Sequence, residues 1–313
     1  MLTAKKAKGS EKEGARLSRK RLIAISLVLI SVLALASAVV LLFPRGSNSS
    51  FPLNAVIIDQ LSLELPDKAF VNNIESLLQS HSFTVSYYNK TLDVDFFRGL
   101  AKDNYGMIIL RVHSALRLPD NQTVDLFTSE RFDSTSHSDE LNSELLVDGF
   151  LNYSGITEHY FAITSKFVEN LEGNFPKSII IAMGCWTLKL GVEATLANAF
   201  ISKGAKAFIG WTGLVDYSHT DSETAKFLED ILQNKTLSDA VDDVVLDPFW
   251  GSIMTYYPHT SSVGNLKLSD LINEAKPTPA SQFQIAIPDS DFMRRQWPPI
   301  SGVLDSAGTK LAC

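Results

Sequence analysis

Four residues stand where chemistry could be done. Cys185, one of only two cysteines, follows the short apolar run Ser178–Met183 and a single glycine, Gly184. His113 follows a second apolar run, Tyr105–Val112. Asp59 ends a third, Asn54–Asp59, and Asp216 lies just beyond a fourth, Ala205–Trp211. A thiol is a weak nucleophile near neutral pH. An imidazole beside it can take its proton, and backbone N–H groups at a strand-to-helix turn can hold an oxyanion. Cys185 and His113 therefore form a candidate catalytic dyad, and Asp59 and Asp216 form a candidate acidic pocket for a basic substrate residue. Each residue also has an ordinary reading. A strand-end cysteine packs as a small hydrophobe, a histidine can be a structural hydrogen-bonder, and aspartates cap helices. His137, His159, His219 and His259 show no metal-ligand spacing with either cysteine, so no metal is expected. No glycine-rich phosphate loop follows the first run, so no nucleotide cofactor is expected either.

The elements that would carry these residues alternate. Apolar runs short enough to be buried strands are separated by segments with helical spacing. Asp67–His81 carries Phe70, Ile74, Leu77 and Leu78, and Asp95–Lys102 forms a second short helix between the strands Phe83–Tyr88 and Tyr105–Val112. A β-α-β-α-β order predicts a mostly parallel sheet with right-handed crossovers, whose strand C-termini share one edge. That edge would gather Asp59, His113, Cys185 and Asp216. Residues 115–165 break the pattern: they are polar, and they read as a hairpin or excursion followed by a mobile loop near 129–145. Beyond them come a helix over Ile163–Leu171 capped by Thr164 or Ser165, and a helix over Val192–Lys203 closed by Gly204. The strand Ala205–Trp211 and a helix from about Asp221 to Leu232 follow. Trp186 and Trp211 read best as packing residues beside the edge.

The 313 residues carry a net charge of −7, distributed unevenly. Residues 1–21 hold eight Lys and Arg against two Glu, so the remainder is more acidic than the total, which argues against nucleic-acid binding. Leu22–Phe43 is free of charge and would span about 33 Å as a helix, enough to cross a bilayer. The basic flank predicts a cytoplasmic N-terminus and an extracytoplasmic main body. Ala36-Ser37-Ala38 also resembles a signal-peptide cleavage site, but the apolar run continues past it, which favours an uncleaved anchor. Five sequons, at Asn48, Asn89, Asn121, Asn152 and Asn234, fit a glycoprotein exposed on that side. The expected organisation is a basic tail (1–21), a transmembrane helix (22–43), a linker (44–53), an α/β domain (54–275) and a proline-rich irregular tail (276–313). Cys313 lies in that tail, and tails are usually mobile, so Cys185 is expected to be unpaired.

One stretch is specific enough to suggest a family. Ala197–Trp211 carries Ala199-Phe200, Gly204-Ala205 and Ile209-Gly210-Trp211 behind a strand-Gly184-Cys185 turn, itself preceded by strand-His113-Ser114. This arrangement resembles the caspase-like cysteine peptidases, closest to their CHAT and gingipain-type branches, over roughly residues 54–235. The resemblance implies a three-layer α/β/α fold and a thiol endopeptidase that acts on peptide or protein substrates, which with the expected anchor Leu22–Phe43 would be held to a membrane. It implies Cys185 as nucleophile, His113 as base, and the backbone N–H groups of Ser114 and Cys185 as oxyanion donors. That family usually has glycine where this chain has Ser114, and alanine where it has Gly184. The other reading is a non-catalytic ectodomain of the same fold that binds a ligand or partner through the same edge.

Overall fold

The computed structural model describes residues 51–273, apart from 119, 154–155 and 190–194. The basic tail, the apolar span Leu22–Phe43 and the tail from residue 276 lie outside the described residues. Among the described residues no helix is long and apolar enough to cross a membrane.

The chain opens with β1 (Asn54–Asp59), a 3-10 turn (Gln60–Leu63), α1 (Lys68–Ser80), β2 (Thr84–Tyr88), α2 (Val94–Gly99) and β3 (Met107–Arg111). It then leaves the first sheet for β4 (Ser114–Leu116), β5 (Val124–Arg131), the short α3 (Ser138–Asn142), β6 (Leu146–Tyr153) and β7 (Ile156–Ile163). It returns through α4 (Ser165–Glu169), β8 (Ile179–Ala182), α5 (Thr195–Ser202), β9 (Ala207–Trp211) and α6 (Tyr217–Leu232). Last come α7 (Leu237–Asp242), β10 (Met254–Tyr257), α8 (Ser261–Gly264) and α9 (Leu268–Asn273).

The main sheet has the order β10-β9-β8-β3-β1-β2. Its pairs are parallel except β9 with β10. Alternation along each strand sends side chains to opposite faces. Ala55, Ile57, Ile109 and Ile181 pack with Phe70 and Ile74 of α1 and with Phe227, Leu228 and Ile231 of α6. Val56, Ile58, Ile108 and Ile180 pack on the other side with Phe97, Phe167 and Phe200 of α2, α4 and α5. Helices thus cover both faces of a mixed α/β sheet whose central strands are buried throughout, as a parallel sheet requires.

The excursion is more ordered than expected. Residues 114–163 build a second, antiparallel sheet in the order β4-β5-β7-β6. Leu126, Phe161 and Ile163 of that sheet join the core beneath the main one. Ahead of β1, the buried Phe51 packs edge-on against Phe83 with ring centroids 6.2 Å apart.

Candidate active site

His113 is the joint between the two sheets. β3 ends at Arg111, and after Val112 and His113 itself, Ser114 starts β4. The His113 N–H donates to Gln60 Oε1 at 2.9 Å, and its carbonyl accepts from Phe127 N–H at 2.9 Å. The imidazole is fully buried, and both ring nitrogens are engaged. Nε2 lies 3.0 Å from Glu64 Oε2, and Nδ1 lies 2.5 Å from Tyr217 Oη. An ionised carboxylate only accepts, so in the neutral ring the proton sits on Nε2 and the Tyr217 hydroxyl donates to Nδ1. The Glu64 side chain is 31 % exposed, so this is the open side of the site.

The β4–β5 ladder also sets the direction of the next N–H. Phe127 donates to His113 and Arg117 to Thr123, so 113/127, 115/125 and 117/123 are the bonded pairs. Ser114, opposite Leu126, is a non-bonded pair, and its N–H points away from β5. Its hydroxyl reaches across to the next loop and donates to the Cys185 carbonyl at 2.6 Å.

Cys185 follows β8, the strand that pairs with β3, so the thiol and imidazole positions lie at the same ends of neighbouring parallel strands. The next residue, Trp186, has φ +61°, a left-handed backbone that a bulky residue adopts at a cost of about 1–3 kcal/mol. Three bonds hold the turn. Trp186 N–H donates to Gly213 O at 2.8 Å, Leu188 N–H to Trp211 O at 3.0 Å, and Trp211 N–H to Thr187 Oγ1 at 3.0 Å. Cys185 is 1 % exposed, and Val215 N–H donates to its sulfur at 3.4 Å. Contrary to the expected unpaired thiol, Cys185 is disulfide-bonded, and its partner lies outside the described residues. The segment that meets the sulfur through Val215 therefore meets the imidazole through Tyr217. Trp211 is a buried packing residue, as expected, while Trp186 is partly buried between the two core faces.

The two aspartates are employed elsewhere. Asp59 is buried against Arg111, with Oδ1 2.8 Å from Nη1, and accepts from Tyr87 Oη at 3.0 Å. Burial, followed by the Asp59 charge, pushes the Tyr87 phenol up to about 12. Arg111 completes its fork on Asp221, with Nε and Nη2 each 2.8 Å from a carboxylate oxygen, and Nη2 also reaches Leu65 O at 2.8 Å. Burial alone would lower the guanidinium pKa; the bonds to Asp221 and Asp59 outweigh it and hold the charge. Asp216 is the N-cap of α6 and accepts from Ser218 N–H at 3.0 Å and His219 N–H at 3.2 Å. The Ser218 hydroxyl, followed by those N–H bonds, holds its carboxyl below the usual range.

Neither the family models nor the curated proteins offer a match to this chain.

The site is thus built from the strand ends that the sequence points to, plus three residues it does not single out: Gln60, Glu64 and Tyr217. Each lies within a few residues of a strand end or an expected site aspartate. Nothing in their local pattern separates them from other polar turn residues. Among the described residues no group of three or more His, Cys, Asp or Glu is arranged to hold a metal ion.

Proposed function

We propose that the chain is a cysteine endopeptidase of caspase-like architecture, held to a membrane by Leu22–Phe43 with its α/β domain on the extracytoplasmic side. The observation that carries the reading is the pairing of β3 with β8, which brings His113 and Cys185 to neighbouring strand ends tied by the Ser114–Cys185 bond. Glu64 on Nε2 supports it, because an acid on one ring nitrogen leaves the other as the base. Once an external dithiol has reduced the Cys185 disulfide, becoming a disulfide itself, the thiol proton passes to Nδ1 as sulfur attacks the scissile carbonyl. The N–H groups of Ser114 and Cys185 hold the oxyanion, and the imidazolium returns its proton to the leaving amine. Water then hydrolyses the thioester. With Asp59 committed to Arg111, a preference for basic residues rests on Asp216 alone.

The second reading, a non-catalytic ectodomain that binds a ligand or partner, is favoured by the bonded, buried state of Cys185. A substrate-like probe separates the two. Reduced protein is treated with peptidyl acyloxymethyl ketones ending in arginine or in leucine, and adduct at Cys185 is read by mass spectrometry. The peptidase reading expects labelling that His113→Ala slows about a hundredfold or more. Equal labelling of wild type and His113→Ala would leave the non-catalytic reading standing.

A further inference from the structure

His113 sits between an acceptor and a donor, and the donor is on the wrong side for a base. With Glu64 taking the Nε2 proton, Nδ1 carries the only lone pair the ring can offer, and the Tyr217 hydroxyl lies 2.5 Å from it. Its ring meets the imidazole edge-on, with centroids 5.5 Å apart at 89°. Tyr217 is the first residue of α6, next to the cap Asp216 and two residues after Val215, whose N–H meets the Cys185 sulfur. One short segment therefore covers both the base and the nucleophile.

We propose that Tyr217 is a latch on the base: its hydroxyl occupies His113 Nδ1, the nitrogen that must take the thiol proton, and the site turns on when that hydroxyl leaves. The inference rests on the peptidase reading above. While the latch is closed, the His113 lone pair is engaged by the Tyr217 hydroxyl and is not offered to the S–H bond of reduced Cys185. When the latch is open, the proton moves from sulfur to Nδ1 and the thiolate is free to attack. An extended substrate that moves the first turn of α6 would release both partners together, whereas a small reagent would meet the closed form. Among the described residues, the titratable groups bonded to the imidazole are Glu64 from the turn after β1 and Tyr217 from α6, while Cys185 follows the neighbouring strand β8. Phe127 of β5 packs its ring at 6.3 Å, and the Arg111–Asp59–Asp221 cluster begins two residues earlier on the same strand.

The test uses iodoacetamide, which makes no substrate contacts, on reduced full-length protein. The thiolate displaces iodide, and the rate is followed from pH 5.5 to 9. Tyr217→Phe, checked by thermal melting for an intact fold, should label Cys185 on the order of tenfold faster near pH 6.5, the scale of one hydrogen bond. It should also hold that rate to lower pH, and His113→Ala/Tyr217→Phe should lose the gain. An unchanged rate and pH profile in Tyr217→Phe, with peptidyl-ketone labelling still dependent on His113, would overturn the latch and leave the peptidase reading intact. Peptidyl-ketone labelling indifferent to His113 would overturn both. If the variant does not fold, nitrogen-15 NMR of histidine-labelled wild type decides: an unprotonated Nδ1 bonded to a hydroxyl is expected, and a protonated Nδ1 would overturn the proposal.

Discussion

Gly184 and Ser114 are fitted to one another. A Cβ on residue 184 would stand 2.3 Å from Ser114 Oγ and 2.6 Å from the Val112 carbonyl oxygen, closer than atoms pack. The serine hydroxyl that would be struck is the one bonded to the Cys185 carbonyl. Residues 114 and 184 are therefore coupled: the serine after the histidine leaves room only for glycine before the cysteine. Gly184→Ala should cost about 1–3 kcal/mol in urea unfolding, the usual penalty of overpacking. Ser114→Gly in the same chain should return only part of that, because the Val112 carbonyl remains in the way. A Gly184→Ala variant as stable as wild type would show that the two positions are not coupled.

At the scale of elements, α6 matters most, because its first turn touches the site and its body covers the sheet. The helix begins at Tyr217, a turn earlier than its apolar spacing predicts, because Asp216 caps it. Asp216→Ala should lose about 1 kcal/mol of stability and Asp216→Asn only a few tenths, since asparagine caps almost as well. The charge then becomes separable from the cap. If Asp216 selects basic residues, Asp216→Asn shifts labelling from the arginine ketone to the leucine ketone with only a small change in melting. Its carboxyl is held below its ordinary value in the folded state, so the stability it adds is present above the unfolded carboxylate range. That stability is lost as pH falls through the lower folded value. β1, β3, β8 and β9 were legible as uninterrupted apolar runs, and a cap was legible at Thr164 or Ser165; it is Thr164, accepting from Phe167 N–H at 3.2 Å. An aspartate after a strand looks the same whether it caps, pairs or binds, so the roles of Asp59 and Asp216 were not legible. The second sheet escaped because its strands mix polar with apolar residues. Its clearest mark was the Ser154-Gly155 pair between two eight-residue runs rich in β-branched and aromatic side chains, a hairpin spacing. Glu64 and Tyr217 come to His113 only through tertiary packing, and no local pattern encodes that.

For the molecule as a whole, the buried Arg111 cluster joins what the sheets and helices otherwise only stack. One guanidinium ties β3 to Asp59 of β1, to Asp221 of α6 and to the Leu65 carbonyl in the turn that carries Glu64. Arg111→Met would strand two buried carboxylates and should cost about 3–5 kcal/mol. Arg111→Lys should rescue little, because the fork on Asp221 is bidentate. Neutralising both acids together with Arg111→Met should restore much of the loss, and the denaturant midpoint at constant slope reads all three. A near-wild-type midpoint for Arg111→Met alone would refute the assignment. The same long reaches have a consequence in the time a cell takes to make the protein. Ser114 meets a carbonyl 71 residues downstream, and the His113 ring meets a hydroxyl 104 residues downstream. At about 5–20 residues per second, a ribosome makes His113 on the order of ten seconds before Tyr217. Through that interval the imidazole lacks the helix that carries its hydroxyl partner, and for about the first two thirds of it the strand β8 as well, so a nascent or truncated chain ending before α6 lacks Tyr217 at the site.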